Sequence, residues 1–191
     1  MNWETLLCLG DSITFGARSY LGYPEICADL LSKKLNKHWN VINHATNGYT
    51  TIDLLRSLDK SWSLLKAHQP SLITIMIGTN DVKNNTADHN FSAVFSLLIT
   101  KVKLLATNNN ILVFKIPPLM PGVFYPYNFS MNDKINNLNK VIESHSNQHQ
   151  IRTLELMLQA DDFYDGVHFG EVGSHNAANQ LSNFILKDKG Y

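Results

Sequence analysis

Apolar positions along the chain alternate between short continuous runs and longer stretches with helical spacing. Thr5 to Leu9 (TLLCL) reads as a short buried strand. From Tyr23 to Asn36, Ile26, Cys27, Leu30, Leu31 and Leu35 recur at helical intervals, and Pro24 suits a first turn. Asn40 to Asn43 is a thinner strand, and Thr51 to Ala67 carries Ile52, Leu54, Leu55, Leu58, Leu64 and Leu65 on a helical repeat. Leu72 to Ile77 (LITIMI) is apolar almost throughout, as expected of a central parallel strand covered on both faces. A helix over Phe91 to Ala106 and a strand over Ile111 to Ile116, stopped by Pro117-Pro118, follow. A helix over Asn132 to Ser146, a thin strand over Arg152 to Leu156 and a closing helix over Glu171 to Leu186 complete the pattern; the asparagines at Asn108 to Asn110 suit a turn.

Strand and helix alternate about five times, which predicts a parallel sheet between two helical layers, because right-handed crossovers place a helix after each strand. In such sheets ligands bind beyond the carboxyl ends of the strands. A chain of 191 residues, 44% hydrophobic, has enough apolar surface for one core, so a single domain over 1–191 is expected. Lysine plus arginine and aspartate plus glutamate balance at 16 each without long runs. That balance argues against a nucleic-acid partner and against a polybasic membrane anchor. No apolar run approaches the roughly 20 residues needed to span a bilayer. MNWETLLCLGDS has an acidic residue where an export signal needs positive charge, so a cytoplasmic protein is expected. Cys8 and Cys27 are then reduced core residues rather than a disulfide, and the Asn84, Asn90 and Asn128 N-x-[ST] matches carry little meaning.

Polar residues cluster just after the strands: Gly10-Asp11-Ser12, then Asn47-Gly48, then Gly78-Thr79-Asn80-Asp81, and finally Asp165-Gly166-Val167-His168. A serine hydroxyl is a poor nucleophile unless a base takes its proton, and that base needs a third group to hold its tautomer. Ser12, His168 and Asp165 supply those types, with the last two one turn apart. An oxyanion formed by attack needs fixed donors. The Ser12 N–H, the Gly48 N–H and the Asn80 side-chain amide come from three strand ends. Asp11 and Asp81 are expected to brace their loops through hydrogen bonds rather than to catalyse. His145 and His149 are spaced to share a helix face, but lack the glutamate of H-E-x-x-H, so a solvated face and no metal are expected. His44 and His175 read equally well as structural residues or pocket lining.

With these blocks in this order, the chain resembles the SGNH hydrolases, also called GDSL esterases and lipases, over most of its length. The four residues that name the family fall on Ser12, Gly48, Asn80 and His168; GDSIT stands where GDSL is usual. The resemblance implies a three-layer α/β/α, flavodoxin-like fold, with Ser12 as nucleophile, His168 as base and Asp165 as its partner. It implies no cofactor and a small-molecule ester substrate, cleaved through an acyl-enzyme. Activity should then rise with pH as an ordinary histidine loses its proton, near ~6.5. The loop from Pro117 to Met131 should overhang the site, with Met120, Phe124, Tyr125 and Tyr127, and also Phe129, as candidates for substrate contact, or else packing on the body. Leu21, Gly22 and Tyr23 are second-rank pocket candidates. Short acyl groups fit a chain with little room for a lid. A carbohydrate deacetylase, a lysophospholipase or thioesterase, an arylesterase and a binding module without turnover are the alternatives. A phosphoryl-transfer reading lacks the glycine and lysine pattern of a phosphate loop.

Overall fold

A computed structural model describes residues 3–106 and 110–188; of the expected asparagine turn, Asn108 and Asn109 lie outside the described residues. Five strands form one parallel sheet: β1 (Trp3–Gly10), β2 (His38–Ala45), β3 (Leu72–Met76), β4 (Ile111–Phe114) and β5 (Arg152–Leu154), in the spatial order β2-β1-β3-β4-β5. Among the described residues the seven α-helices are α1 (Ser12–Phe15), α2 (Tyr23–Leu35), α3 (Thr51–Ala67), α4 (Thr79–Lys83), α5 (Asp88–Lys103), α6 (Asn132–Gln148) and α7 (Glu171–Asp188).

Period-two alternation on β1 sends side chains to opposite layers. Leu7 and Leu9 join Ile73, Ile75, Ile111 and Val113 beneath α3, α5 and α6. Leu6 and Cys8 join Leu112, Phe114 and Leu154 beneath α2 and α7. The three-layer α/β/α arrangement expected from the alternation is therefore the observed one. Both cysteines are free and buried, and burial pushes the Cys8 thiol up to about 12. Among the described residues no helix is long and apolar enough to cross a membrane.

Departures from the sequence reading have local causes. β1 and β2 pair over their full lengths, from Trp3↔His38 to Gly10↔Ala45, beyond the apolar cores of either. β2 is an edge strand whose middle is only half-buried, so its apolar signal is thin. β4 stops at Phe114 because the Ile116 N–H turns away to Asn139 Oδ1 at 2.7 Å. β5 ends at Leu154, two residues before the expected limit. α1 and α4 are too short for a helical period to register.

The strand order reverses direction at β1, with β2 on one side and β3 on the other. At such a switch point the connections leave on opposite faces and open a crevice at the carboxyl edge. The segments after β1, β2 and β3 all emerge there.

Candidate active site

The last residue of β1, Gly10, has to be glycine because a Cβ there would sit 2.3 Å from Thr14 Oγ1 and 2.5 Å from the Met76 carbonyl oxygen. The chain turns at once into α1, where Asp11 is the N-cap and its Oδ1 accepts the Ile13 N–H at 3.0 Å. Ser12 is the first residue of α1, so its own N–H has no acceptor within the helix. Asp11 is thus a brace, as expected, and burial raises its carboxyl to about 7, against the hydrogen bond from Ile13. Its Oδ2 is buried and has no hydrogen-bond partner among the described residues.

The segment after β5 delivers the imidazole. Phe163 and Phe169 form an antiparallel bridge with their rings 5.6 Å apart, and the Tyr164 N–H bonds the His168 carbonyl at 2.8 Å. Within this loop Asp165 Oδ1 accepts the Val167 and His168 backbone N–H groups at 3.1 and 2.8 Å, and Oδ2 lies 2.8 Å from His168 Nδ1. His168 Nε2 in turn lies 2.9 Å from Ser12 Oγ, across 156 residues of chain. Burial pushes the Asp165 carboxyl up, but the hydrogen bonds from His168 and Val167 outweigh it and hold the group below the usual carboxylate range. An ionised carboxylate on Nδ1 keeps that nitrogen protonated and leaves Nε2 free to accept the hydroxyl proton.

Asn80 sits in α4, 2% exposed, and its amide orientation is dictated by its neighbours. Oδ1 accepts from the Lys83 ammonium at 2.8 Å and from the Tyr127 hydroxyl at 3.3 Å; Nδ2 donates to the Tyr49 carbonyl at 3.0 Å. An ammonium can only donate and a carbonyl can only accept, so the flipped amide would face two mismatches. One amide N–H remains unspent. Burial pushes the Tyr127 phenol up to about 12, so it stays a donor. Gly48 has φ +80° in the turn after β2, a left-handed conformation that favours glycine. That turn is closed by the Tyr49 N–H on the Thr46 carbonyl at 3.2 Å, which does not consume the Gly48 N–H. Asp81, the neighbour of Asn80, accepts the Thr51 N–H and hydroxyl, both at 2.9 Å, and so ties α4 to the start of α3.

Ser12, Gly48, Asn80 and His168 all line one open cavity of about 340 Å³, with Ala17, Arg18, Asn47, Lys83, Pro126 and Tyr127. Asp165 stands behind His168. Of the five loop residues offered as substrate contacts, only Tyr127 lines this cavity. Phe124 and Tyr125 are 76% and 96% exposed and are not in its wall, and Met120 packs against the α2 and α7 side of the core, its N–H held by the Gly166 carbonyl at 2.9 Å. Phe129 is exposed outside the cavity, as is Leu21. Gly22 is the N-cap of α2, and Tyr23 is buried with its hydroxyl 3.1 Å from Thr14 Oγ1. His44 resolves to the structural reading, its Nε2 3.0 Å from Ser57 Oγ, and His175 is exposed on α7. His145 departs from the solvated face expected of it: it is half-buried against Phe95, its Nε2 2.8 Å from Ser92 Oγ. Among the described residues no three histidine, cysteine or acidic side chains are grouped as metal ligands.

Arg18 and Lys83 escaped the sequence reading. Their signal is spacing: Lys83 lies three residues after Asn80 on one helix face, and Arg18 lies just past the Gly16 cap that ends α1.

The sequence profile of the GDSL-like lipase/acylhydrolase family matches residues 8–175. No curated protein matches the chain. Among solved structures, the acetyl xylan esterase AlAXEase superposes with a TM-score of 0.77 at 17% identity, covering 95% of this chain and 99% of that one. A lipase/acylhydrolase from Enterococcus faecalis gives 0.76 at 21% identity, with 97% and 96% covered. Axe2, an acetylxylan esterase from Geobacillus stearothermophilus, gives 0.69 at 22% identity, with 98% and 94% covered.

Proposed function

Since the chain belongs to the GDSL-like lipase/acylhydrolase family, we propose that it is a serine esterase that cleaves short-acyl carboxylic esters through an acyl-enzyme. The observation that carries this reading is the unbroken relay from Asp165 Oδ2 through the His168 ring to Ser12 Oγ, at 2.8 and 2.9 Å, opening on the cavity. Ser12 Oγ attacks the ester carbonyl carbon while its proton passes to His168 Nε2. The resulting imidazolium is steadied by the Asp165 carboxylate. The oxyanion is met by the Ser12 N–H, the Gly48 N–H and the unspent Asn80 amide N–H. As the carbon–oxygen bond to the alcohol breaks, His168 returns the proton to the departing oxygen. Water, deprotonated by His168, then attacks the acyl-enzyme, and release of the acid restores Ser12.

Carbohydrate O-deacetylation is the finer form of this reading that the site favours. The cavity is open and walled on one side by Tyr127 and Pro126, a surface suited to a sugar ring, and two of the similar structures are named as acetyl xylan esterases.

The test is hydrolysis of p-nitrophenyl esters from acetate to dodecanoate by the wild type and Ser12→Ala. Serine-dependent turnover that falls steeply with acyl length is the expected result. A preference for long chains would redirect the assignment to lipids. Absence of turnover together with absence of labelling by a serine-directed phosphonate would overturn it in favour of a binding module.

A further inference from the structure

Two cationic side chains and no acidic one are among the residues lining the cavity that holds Ser12. Lys83 is half-buried, and its ammonium has a neutral partner, the Asn80 carbonyl oxygen; it forms no ion pair among the described residues. Of the other half-buried lysines, four are matched to a carboxylate, Lys37 to Glu4, Lys101 to Asp59, Lys115 to Glu143 and Glu155, and Lys134 to Asp88, while Lys103, like Lys83, has no ion pair among the described residues. Partial desolvation of a charge is costly unless an opposite charge or donor-acceptor set compensates it. Lys83 is left with two N–H donors beside the reacting centre.

Arg18 enters the same cavity from the segment after α1. Its guanidinium lies 5.8 Å from the Tyr164 ring centroid, and its Nε forms a long ion pair with Asp165 Oδ2 at 3.6 Å, beyond hydrogen-bond reach and so weak at an exposed side chain. It makes no hydrogen bond among the described residues, and its side chain is 53% exposed. Asp165 hydrogen-bonds His168 and Asp81 holds Thr51, while Asp11, 1% exposed, caps α1 through Oδ1 and attracts Lys83 only through space.

We infer that Arg18 and Lys83 form an anion-recognising subsite, so that the preferred ester carries a carboxylate or phosphate on its alcohol part. This rests on the esterase reading above, in which the short acyl group leaves the alcohol as the part able to bear the charge. A guanidinium fork and a mobile ammonium together suit either anion.

The experiment compares kcat/KM for three acetyl esters that differ only at C6: an O-acetylated methyl glucoside, the matching methyl glucuronoside, and the matching methyl glucoside 6-phosphate. The anionic ester should exceed the neutral one by about tenfold, the scale of one or two hydrogen bonds to charged groups. That ratio should collapse when ionic strength rises from about 0.01 M to about 0.5 M. Arg18→Gln and Lys83→Met will also slow the neutral ester, because Lys83 touches Asn80 and Arg18 stands beside Asp165. The ratio cancels that shared loss, and it should fall towards one in both variants. Preference for the glucuronoside assigns the subsite to carboxylates, and preference for the phosphate assigns it to phosphates. A ratio near one in the wild type, or one unmoved by either substitution, overturns the subsite while leaving the esterase intact. Failure of all three sugars and of p-nitrophenyl acetate to show Ser12-dependent turnover would sink the esterase reading instead.

Discussion

Asn80 concentrates the chemistry of this site in a single amide. Two donors on Oδ1 and one acceptor on Nδ2 leave it one N–H for the cavity, and the Lys83 ammonium on its oxygen draws electron density from that N–H. Asn80→Ala should therefore lower kcat by roughly 10²–10³ if the amide meets the oxyanion; a loss of only a few-fold would remove it from that role. Tyr127→Phe deletes the longer of the two bonds to Oδ1 and should cost less, with kcat falling more than KM rises. Asp165→Asn tests the relay. An asparagine would present an N–H to Nδ1, move the ring proton to Nε2 and abolish its ability to accept from Ser12, a loss of roughly 10³–10⁴ in kcat with the fold unchanged. Ser12, His168, Asp165, Gly48 and Asn80 were all visible as residue types at strand ends. The Tyr127 contact to Asn80 was not, because it joins a helix face to a loop 47 residues away, and the Lys83 contact, three residues along, was missed because α4 is a single turn with no period to read.

At the scale of elements, the site depends on how two short helices are anchored. α4 has five residues, too few to be stable by propensity, and is held where α3 begins by the Asp81 carboxylate on Thr51. α3 itself starts with a capping box in which Thr50 and Asp53 satisfy one another's backbone N–H groups. Asp81→Ala would strand the buried Thr51 N–H and hydroxyl. It should cost about 1–3 kcal/mol in chemical denaturation, with activity falling too because Asn80 shifts. The sequence reading placed α3 at its observed limits, since 17 residues carry a clear apolar period. It missed α1 and α4 because one turn of helix has no period to read.

At the scale of the whole molecule, folding shifts carboxylates in opposite directions, Asp11 up and Asp165 down. Asp11 titrates at about 7 when folded, through burial, against 3.8 as its ordinary value. Between those values the unfolded chain holds fewer protons on this group than the folded one, so its contribution is favourable below about pH 3.8 and is lost as pH rises to about 7. Asp11→Asn keeps an oxygen for the Ile13 N–H and removes the titration. The variant should gain stability relative to wild type steadily from pH 4 to pH 8 in thermal melts; a pH-independent difference would show that Asp11 ionises freely. The order of strands and helices, the two-sided burial of β3 and the residues at the strand ends were decided by the sequence alone, because apolar period and turn chemistry are local properties. The β2-β1-β3-β4-β5 order, the 2.9 Å meeting of Ser12 with His168, the exclusion of Phe124 and Tyr125 from the cavity and the arrival of Arg18 and Lys83 within it were decided only by the tertiary structure. These are relations between segments far apart in the chain, set by which faces pack together, and no local pattern encodes them.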